Sequence, residues 1–417
     1  MSHPAKSVCP DCGPSPASHR LSWWGNVLDW LMGPYTRLVD RLWQKIKPQV
    51  RKLPWDNIAW RLSQFFSRIG LGKIVTELRQ DHSLRTRAIW EEAERRGIEL
   101  TEFRPFGRTV EWLFARYQGK LFAFEGLPRP RGVDSPGLDW MDDKGVMRDH
   151  FSAVGIPVAR GGTATLVKRA LELFDEIGGR VIVKPRLGSR SRHTFTNITT
   201  RSGLVKAFYG AQQLCPWVVV EQHLDGPVHR ATVVAGKLVG VARRDVPQVV
   251  GDGVKTVGEL AAIENQYPGR QGPIYAPLPG PKDAEPFLQA QGFTWNSVPT
   301  KDQVVVLDWK VNRGSGGVTT EVTAEVHPEN TALFEKVAAV VGDNIIGIDF
   351  IAERLDVPWH TLPPCGVIEC NSLPFIDLHH YPIRGIPRNA AGAVWDLVWP
   401  SAVPAPVLVS VATEPQV

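Results

Sequence analysis

The sequence predicts an α/β fold of the α+β kind, and three observations predict it. Short apolar runs alternate with helical segments from about Ser135 to Pro400. Two of those runs, Arg230–Val234 and Leu238–Arg243, bracket Ala235-Gly236-Lys237, a tight hairpin turn. A chain of 417 residues, 43% apolar and 22% charged, can bury a sizeable core spread over two or three lobes.

In chain order, residues 1–20 are rich in Pro, Ser and His and predict a flexible tail. Cys9-Pro-Asp-Cys12-Gly13 is half of a zinc site. No second half follows at a comparable spacing. His3 and His19 are the nearest candidates to complete it, and a metal-free tail is the expectation. Residues 21–75 form a tryptophan-rich basic segment of short amphipathic helices, with breaks predicted at Pro34, Pro48 and Pro54. Leu38, Val39, Leu42, Trp43 and Ile46 share one helical face, and packing of that face is expected over peripheral contact with a membrane. Residues 76–134 predict a small α/β lobe. Leu84–Gly97 is a helix ended by a glycine, Ile98–Leu100 a following strand and Leu121–Glu125 another.

From 135 to 400 the predicted elements are a helix over Ala164–Ile177 and strands over Arg180–Lys184, Trp217–Glu221, Gln303–Asp308, Ile345–Ala352 and Gly366–Glu369, besides the hairpin. Residues 401–417 read as a tail. There is no internal repeat.

Composition excludes several classes. A net charge of +5 is too mild to imply nucleic acid as a partner. Five scattered cysteines lack the pairing of a disulfide-stapled secreted domain. No secretory signal is visible, and no stretch reaches the roughly 18 apolar residues that a spanning helix needs. A cytoplasmic location is the expectation.

Three features at strand ends carry chemistry. Lys184 ends a strand and precedes the basic loop Arg186-Leu187-Gly188-Ser189-Arg190-Ser191-Arg192-His193, an arrangement suited to a triphosphate. Glu221 ends another strand beside Gln222-His223-Leu224, where an acceptor and free backbone groups can hold an adenine ring. Asp349 sits in one apolar strand, and Glu369 and Asn371 in the next. Carboxylates there are costly unless they meet a cation, and alternate strand positions put Glu369 and Asn371 on one face. Such hard oxygen ligands suit Mg2+ bridging nucleotide phosphates.

The ordered set Lys144, Lys184, Glu221, Asp349, Glu369 and Asn371 resembles the ATP-grasp superfamily. It is most similar to the ATP-grasp domain of the cyanophycin synthetase family. Val249–Leu260, Gln291–Pro299, Asn312–Val326 and Gly385–Pro400 carry that likeness, which with Met141–Gly162 spans about residues 135–400. The resemblance implies two α+β lobes gripping ATP. It implies that Lys144 and Lys184 contact the phosphates with Gly188 and Ser189 of the loop. Glu221 and Leu224 would line the adenine pocket, and Asp349, Glu369 and Asn371 would hold Mg2+. Arg230 would lie near the nucleotide, and Asn312 with Ser315-Gly316-Gly317 would face the substrate. Arg192, with Arg190, would help close over the phosphates.

The sequence departs from the family pattern in places. Val228 stands where an acid for the ribose is expected, and Ser191 and His193 where glycines are expected, which implies a stiffer loop. Asp308 replaces an arginine, with Lys310 two residues on as its stand-in on the same side of a strand. Phe375 replaces a glycine. No counterpart of the family's Mur-ligase-like domain follows Pro400, so one type of ligation is expected.

The activity implied is ATP-dependent carboxylate–amine ligation through an acyl phosphate, joining an amino acid to an amino acid or peptide carboxylate. Two alternatives stay open: a nucleotide-binding module without ligase activity, and a phosphotransferase of the same fold. The resemblance also implies a homo-oligomer. A peptide or carrier protein is the partner class expected for the tryptophan-rich segment.

Overall fold

The computed structural model describes residues 9–12, 18–50, 53–130, 139–188 and 192–404. The chain forms two compact units. One comprises Met1–Lys47, Ser135–Pro374 and Tyr381–Pro387, the other Pro48–Asp134, Phe375–His380 and Arg388–Val417.

Helix α1 spans His19–Val50 and runs through Pro34 and Pro48, where the sequence predicts breaks. A proline's fixed φ is itself helical, so each costs one intrahelical bond and a local clash that the neighbouring turns outlast. Pro54 does mark a boundary, preceding α2 (Trp55–Arg68). Nearer its start, α1 packs in part and is exposed in part. Trp30 leans on Trp217 with ring centres 6.0 Å apart, and Asn26 Nδ2 donates to Leu214 O at 3.0 Å. Leu21, Trp24, Leu28, Leu31 and Tyr35 remain exposed. The side chains of Leu38, Val39, Leu42, Trp43 and Ile46 lie outside the described ones. No described helix is long and apolar enough to cross a membrane.

In the second unit, β1 (Gly72–Val75), α3 (Leu84–Arg95), β2 (Glu99–Pro105), β3 (Trp112–Tyr117) and β4 (Lys120–Glu125) follow α2. The strands pair antiparallel in the order β1-β2-β3-β4. Ser83 caps α3 by accepting from Thr86 N, and Gly97 at φ +66° releases the chain into β2. Trp60 of α2 packs edge-on against Phe114.

The first unit resumes with α4 (Asp139–Asp142) and α5 (Lys144–Ala153). Then come β5 (Gly161–Ala164), α6 (Val167–Ile177), β6 (Val181–Pro185), β7 (Phe195–Ile198), α7 (Arg201–Gln212) and β8 (Val218–Gln222). Their sheet has the order β5-β8-β6-β7, antiparallel throughout. Its apolar face is Val181, Val183, Val218 and Val220, packed with Leu173 of α6 and Phe208 of α7.

A larger sheet follows: β9 (Val228–Val234) and β10 (Lys237–Asp245) form the predicted hairpin, turning at Ala235 and Gly236 with φ of 51° and 74°. The strand β11 (Gln248–Val250), helices α8 (Val257–Asn265) and α9 (Pro281–Ala290), and β12 (Val304–Val306) make a side layer, with β11 paired to β12. The run predicted as a strand to Asp308 stops at Val306, because Asp308 Oδ1 accepts from Lys310 N at 3.2 Å and turns the chain. After β13 (Val318–Glu321), α10 (Pro328–Val341), β14 (Ile345–Ile351) and β15 (Gly366–Asn371), the sheet is complete in the order β13-β10-β9-β14-β15. Its apolar face, Ala231, Val233, Val241, Ile346, Ile348 and Phe350, packs against Phe334 and Val337 of α10. Two helices of the second unit end the described fold, α11 (Asp377–His380) and α12 (Ala390–Val398).

The two larger sheets of the first unit are therefore apolar on one side and free to be polar on the other. Phe350 has no exposed surface and meets Phe334 edge-on at 5.5 Å. Phe350→Ala is expected to cost about 3–5 kcal/mol, read as a lowered urea midpoint. A loss below about 1 kcal/mol would show that this face is not the core.

Candidate active site

On the larger sheet, register places a row of side chains on the face opposite the core. Ala242 lies opposite Arg230, Arg230 opposite Asp349, and Asp349 opposite Glu369. Arg230 grips Asp349 with two bonds, Nε to Oδ1 at 2.5 Å and Nη2 to Oδ2 at 2.8 Å. Both residues are buried, at 4% and 5% exposure. Burial alone would keep Asp349 protonated, but the charge and hydrogen bonds of Arg230 outweigh it and hold the pKa below the usual carboxylate value. Gly347, next along the same face, makes this possible. A Cβ there would stand 3.0 Å from Arg230 Nη1 and 2.7 Å from Pro374 Cβ. Across from Gly347 lies Asn371. Its Nδ2 is buried without a hydrogen-bond partner among the described residues.

Glu369 opens to solvent on one side. Its pKa is nonetheless raised, first by desolvation against the protein and then by the charge of Asp349 opposite. A carboxylate pressed toward neutrality by burial and by a second carboxylate calls for a cation. The residues present fit a divalent one: Arg230 uses one lone pair on each oxygen of Asp349, and a carboxylate has about four sites in all. Asp349, Glu369 and Asn371 then offer the oxygen ligands that Mg2+ prefers.

The smaller sheet supplies cations. Lys184 of β6 and Glu221 of β8 lie on the face opposite its core, joined at 2.7 Å. Arg148 of α5 approaches Glu221 from the other side, at 3.7 Å. Lys144 is the first residue of α5, placed by its cap. Asp143 accepts from Gly145 N and Val146 N, and binds Arg186 Nε at 2.7 Å. Lys144 Nζ donates to Gly188 O at 2.6 Å. Burial lowers its pKa, as does the neighbouring Lys184, while Glu369 and Glu221 raise it. The two polar faces thus address each other electrostatically: Lys144 and Lys184 in turn act on Glu369.

A turn completes the arrangement. Asn312 O accepts from Ser315 N at 3.1 Å and from Gly317 N at 2.9 Å. Gly316 takes φ +89°, and a Cβ on it would meet Pro277 O at 2.8 Å. Arg270 fastens the turn by donating to Gly316 O and Ala276 O.

The structure therefore brings Lys144, Lys184, Gly188, Glu221, Arg230, Asp349, Glu369 and Asn371 together. Other expected residues fare differently. Leu224 is buried just past β8, but the amides between it and Glu221 are not free: Gln222 N donates to Arg160 O and His223 N to Arg180 O. Lys310 is exposed on a loop, so the expected placement on one side of a strand with Asp308 fails where β12 ends early. Arg192 lines a cavity of about 270 Å³ with Gly25, Asn26 and Asp29 of α1. Ser189, Arg190 and Ser191 lie outside the described residues.

Sequence reasoning missed Arg148, Arg244 and Arg270. Arg244 follows Ala242 on the same face of β10 and donates to Val311 O at 2.8 Å. Burial lowers its pKa, as do Arg230 and Arg313, against the pull of Asp349. Two adjacent arginines ending an apolar strand were the available signal for it. Nothing in the loop around Arg270 marked that residue.

Comparison with known proteins bears on this geometry. The chain is 31% identical over 338 residues to the cyanophycin synthetase of a Nostoc species, an alignment covering 78% of this chain and 36% of that protein. It is 33% identical over 283 residues to the Synechocystis cyanophycin synthetase, covering 66% of this chain and 32% of that one. The crystal structure of a bifunctional glutathione synthetase from Pasteurella multocida superposes with a TM-score of 0.57 at 25% identity, over 77% of this chain and 44% of that one. The chain belongs to the ATP-grasp superfamily. It spans about a third of the length of these curated relatives. No protein-family model matches it. The polar faces of the two sheets correspond to the two α+β lobes expected of an ATP-grasp protein.

Opposite effects are expected of the two carboxylates. Asp349→Ala leaves Arg230 buried and alone, and is expected to cost about 3–5 kcal/mol in denaturant unfolding. The raised pKa of Glu369 means that the folded chain holds a proton there more tightly than the unfolded chain. That stability is present below the ordinary value of about 4.3 and is lost as pH rises through the shifted one. In metal-free buffer Glu369→Gln should therefore raise Tm at neutral pH, with the gain fading in acid. Equal melting of variant and wild type at neutral pH would contradict the like-charge pairing.

Proposed function

We propose that the chain is an ATP-dependent carboxylate–amine ligase that joins an amino acid to an amino acid or peptide carboxylate. The observation that carries this is the register-matched row of Arg230, Asp349 and Glu369, with Asn371 beside it, facing Lys144 and Lys184. The likeness to proteins named for cyanophycin and glutathione synthesis supports the amide-forming class. Their larger size keeps their own substrates from being carried over.

Lys144 and Lys184 hold the phosphates of ATP, and the Gly188 carbonyl keeps Lys144 aimed at them. Mg2+ bound by Asp349, Glu369 and Asn371 supplies neutralisation of the nucleotide phosphates. Arg230 spends two nitrogens on Asp349; its Nη1 is buried with no partner among the described residues and is left to donate to the transferred phosphoryl group. Arg244, whose charge is disfavoured where it stands, gains from the same anion.

The substrate carboxylate oxygen attacks the γ-phosphorus and ADP departs with the electron pair of the broken P–O bond. The amine nitrogen then attacks the acyl carbon, phosphate leaves, and the amine gives up a proton. The protein's part in both steps is positioning and charge stabilisation, so no side-chain nucleophile is needed. The Asn312–Gly317 turn, held by Arg270, presents its small residues to the acid or amine.

ADP and phosphate release from Mg-ATP, measured across a matrix of amino acids and short acidic peptides, tests this reading. Release that requires both an acid and an amine is expected, and Glu369→Ala is expected to lower it by at least about 10²-fold. Release that needs only one acceptor would indicate a phosphotransferase. Tight ATP binding without release on any pair would favour the nucleotide-binding module.

A further inference from the structure

The motif that the nucleotide site leaves unused is the Cys9–Cys12 pair. Its two cysteines do not stand alone. Cys9, Cys12, His19 and His193 bring one ligand atom each into a cluster whose members all lie within 4.8 Å of one another. Cys12 Sγ is 3.2 Å from His19 Nε2 and 3.4 Å from His193 Nε2. Cys9 Sγ is 3.6 Å from His193 Nε2, and the two histidine Nε2 atoms are 3.2 Å apart.

These four distances match edges of a metal tetrahedron. With Zn–S near 2.3 Å and Zn–N near 2.0–2.1 Å, tetrahedral geometry sets S···N edges of about 3.5 Å and an N···N edge of about 3.3 Å. The chain also fixes the ligands from outside. His193 Nδ1 meets Gly210 O at 2.7 Å, which assigns its proton to Nδ1 and leaves the Nε2 lone pair facing the cluster. Pro10–Cys12 forms a short 3-10 turn, with Cys12 N donating to Cys9 O. The backbone of that turn is tied directly to the last ligand, since His193 N donates to Asp11 O at 2.9 Å. Cys12 and His193 are buried, at 2% and 1% exposure. None of the cysteines is in a disulfide.

His193 also holds a conformation that its residue type disfavours. Its φ is +50°, where a glycine would rest without strain. A histidine kept in that position needs a compensating interaction.

We propose that Cys9, Cys12, His19 and His193 bind a structural Zn2+. Two thiolates and two neutral imidazoles give a closed, electrically neutral site with no open position for catalysis. Binding releases the proton of each thiol. The ion fastens the chain around Cys9–His19 to the segment between β6 and β7, the same segment that presents Gly188 to Lys144. The expectation of a metal-free tail is thereby replaced. The missing half-site is supplied by His19, the first residue of α1, and by His193, far along the sequence and beyond any local spacing rule. The proposal is independent of the ligase reading.

Metal analysis of the purified full chain under reducing conditions tests it. Stoichiometric zinc is expected, with Tm falling on chelation and recovering when Zn2+ is returned. Cobalt substituted for zinc should give tetrahedral d–d bands and a thiolate charge-transfer band. Cys12→Ser and His193→Gly should each lose the zinc; the glycine suits the φ of position 193, so that variant keeps its backbone and separates metal loss from misfolding. Wild-type chain that takes up no zinc on reconstitution would overturn the proposal. So would zinc content unchanged in both variants.

Discussion

Everything at the polar face of the larger sheet depends on the paired burial of Arg230 and Asp349. Either charge alone at that depth would be expelled or neutralised. Together, in register across β9 and β14 and joined by two hydrogen bonds, they hold a fixed polar patch in the middle of a sheet whose reverse side is core. Such a pair does not add much to stability, since desolvation offsets its attraction, but breaking it is costly. What it provides is a guanidinium and a carboxylate locked in place before any ligand arrives, which is what charge stabilisation in phosphoryl transfer requires.

The second carboxylate has the opposite character. Glu369 sits across from Asp349 without a cation of its own at hydrogen-bond distance among the described residues, and it resists ionisation. The contrast between a satisfied acid and an unsatisfied one is what supports the proposed metal position. Lys144 and Lys184 on the smaller sheet extend the same logic. Burial and then the neighbouring Lys184 lower the proton affinity of Lys144, a strain that polyphosphate would relieve. Two sheets, each apolar behind and charged in front, thus make a site from ordinary strand alternation.

Much of this was legible in the sequence because it is local. Strand alternation put Glu369 and Asn371 on one face, the Ala235-Gly236 turn declared its hairpin, and Gly97 announced the end of α3. What was not legible depends on tertiary context. Pro34 and Pro48 signal breaks that α1 does not show. Lys310 was assigned to a strand that Asp308 terminates. Arg270 acts through the Gly316 carbonyl of a turn 46 residues away in sequence, which no motif encodes. His193 was visible only as a departure from an expected glycine. Its partners stand 174 to 184 residues earlier, and only the fold shows that they meet.

The most direct test of the central claim is the stoichiometry of Mn2+, as a paramagnetic substitute for Mg2+, bound in the presence of a non-hydrolysable ATP analogue and followed by electron paramagnetic resonance. The account predicts analogue-dependent Mn2+ binding by the wild-type chain that is lost when Glu369 and Asn371 are both replaced by alanine. Unchanged binding in that double variant would contradict it, because the metal would then be held somewhere other than the polar face of β14 and β15.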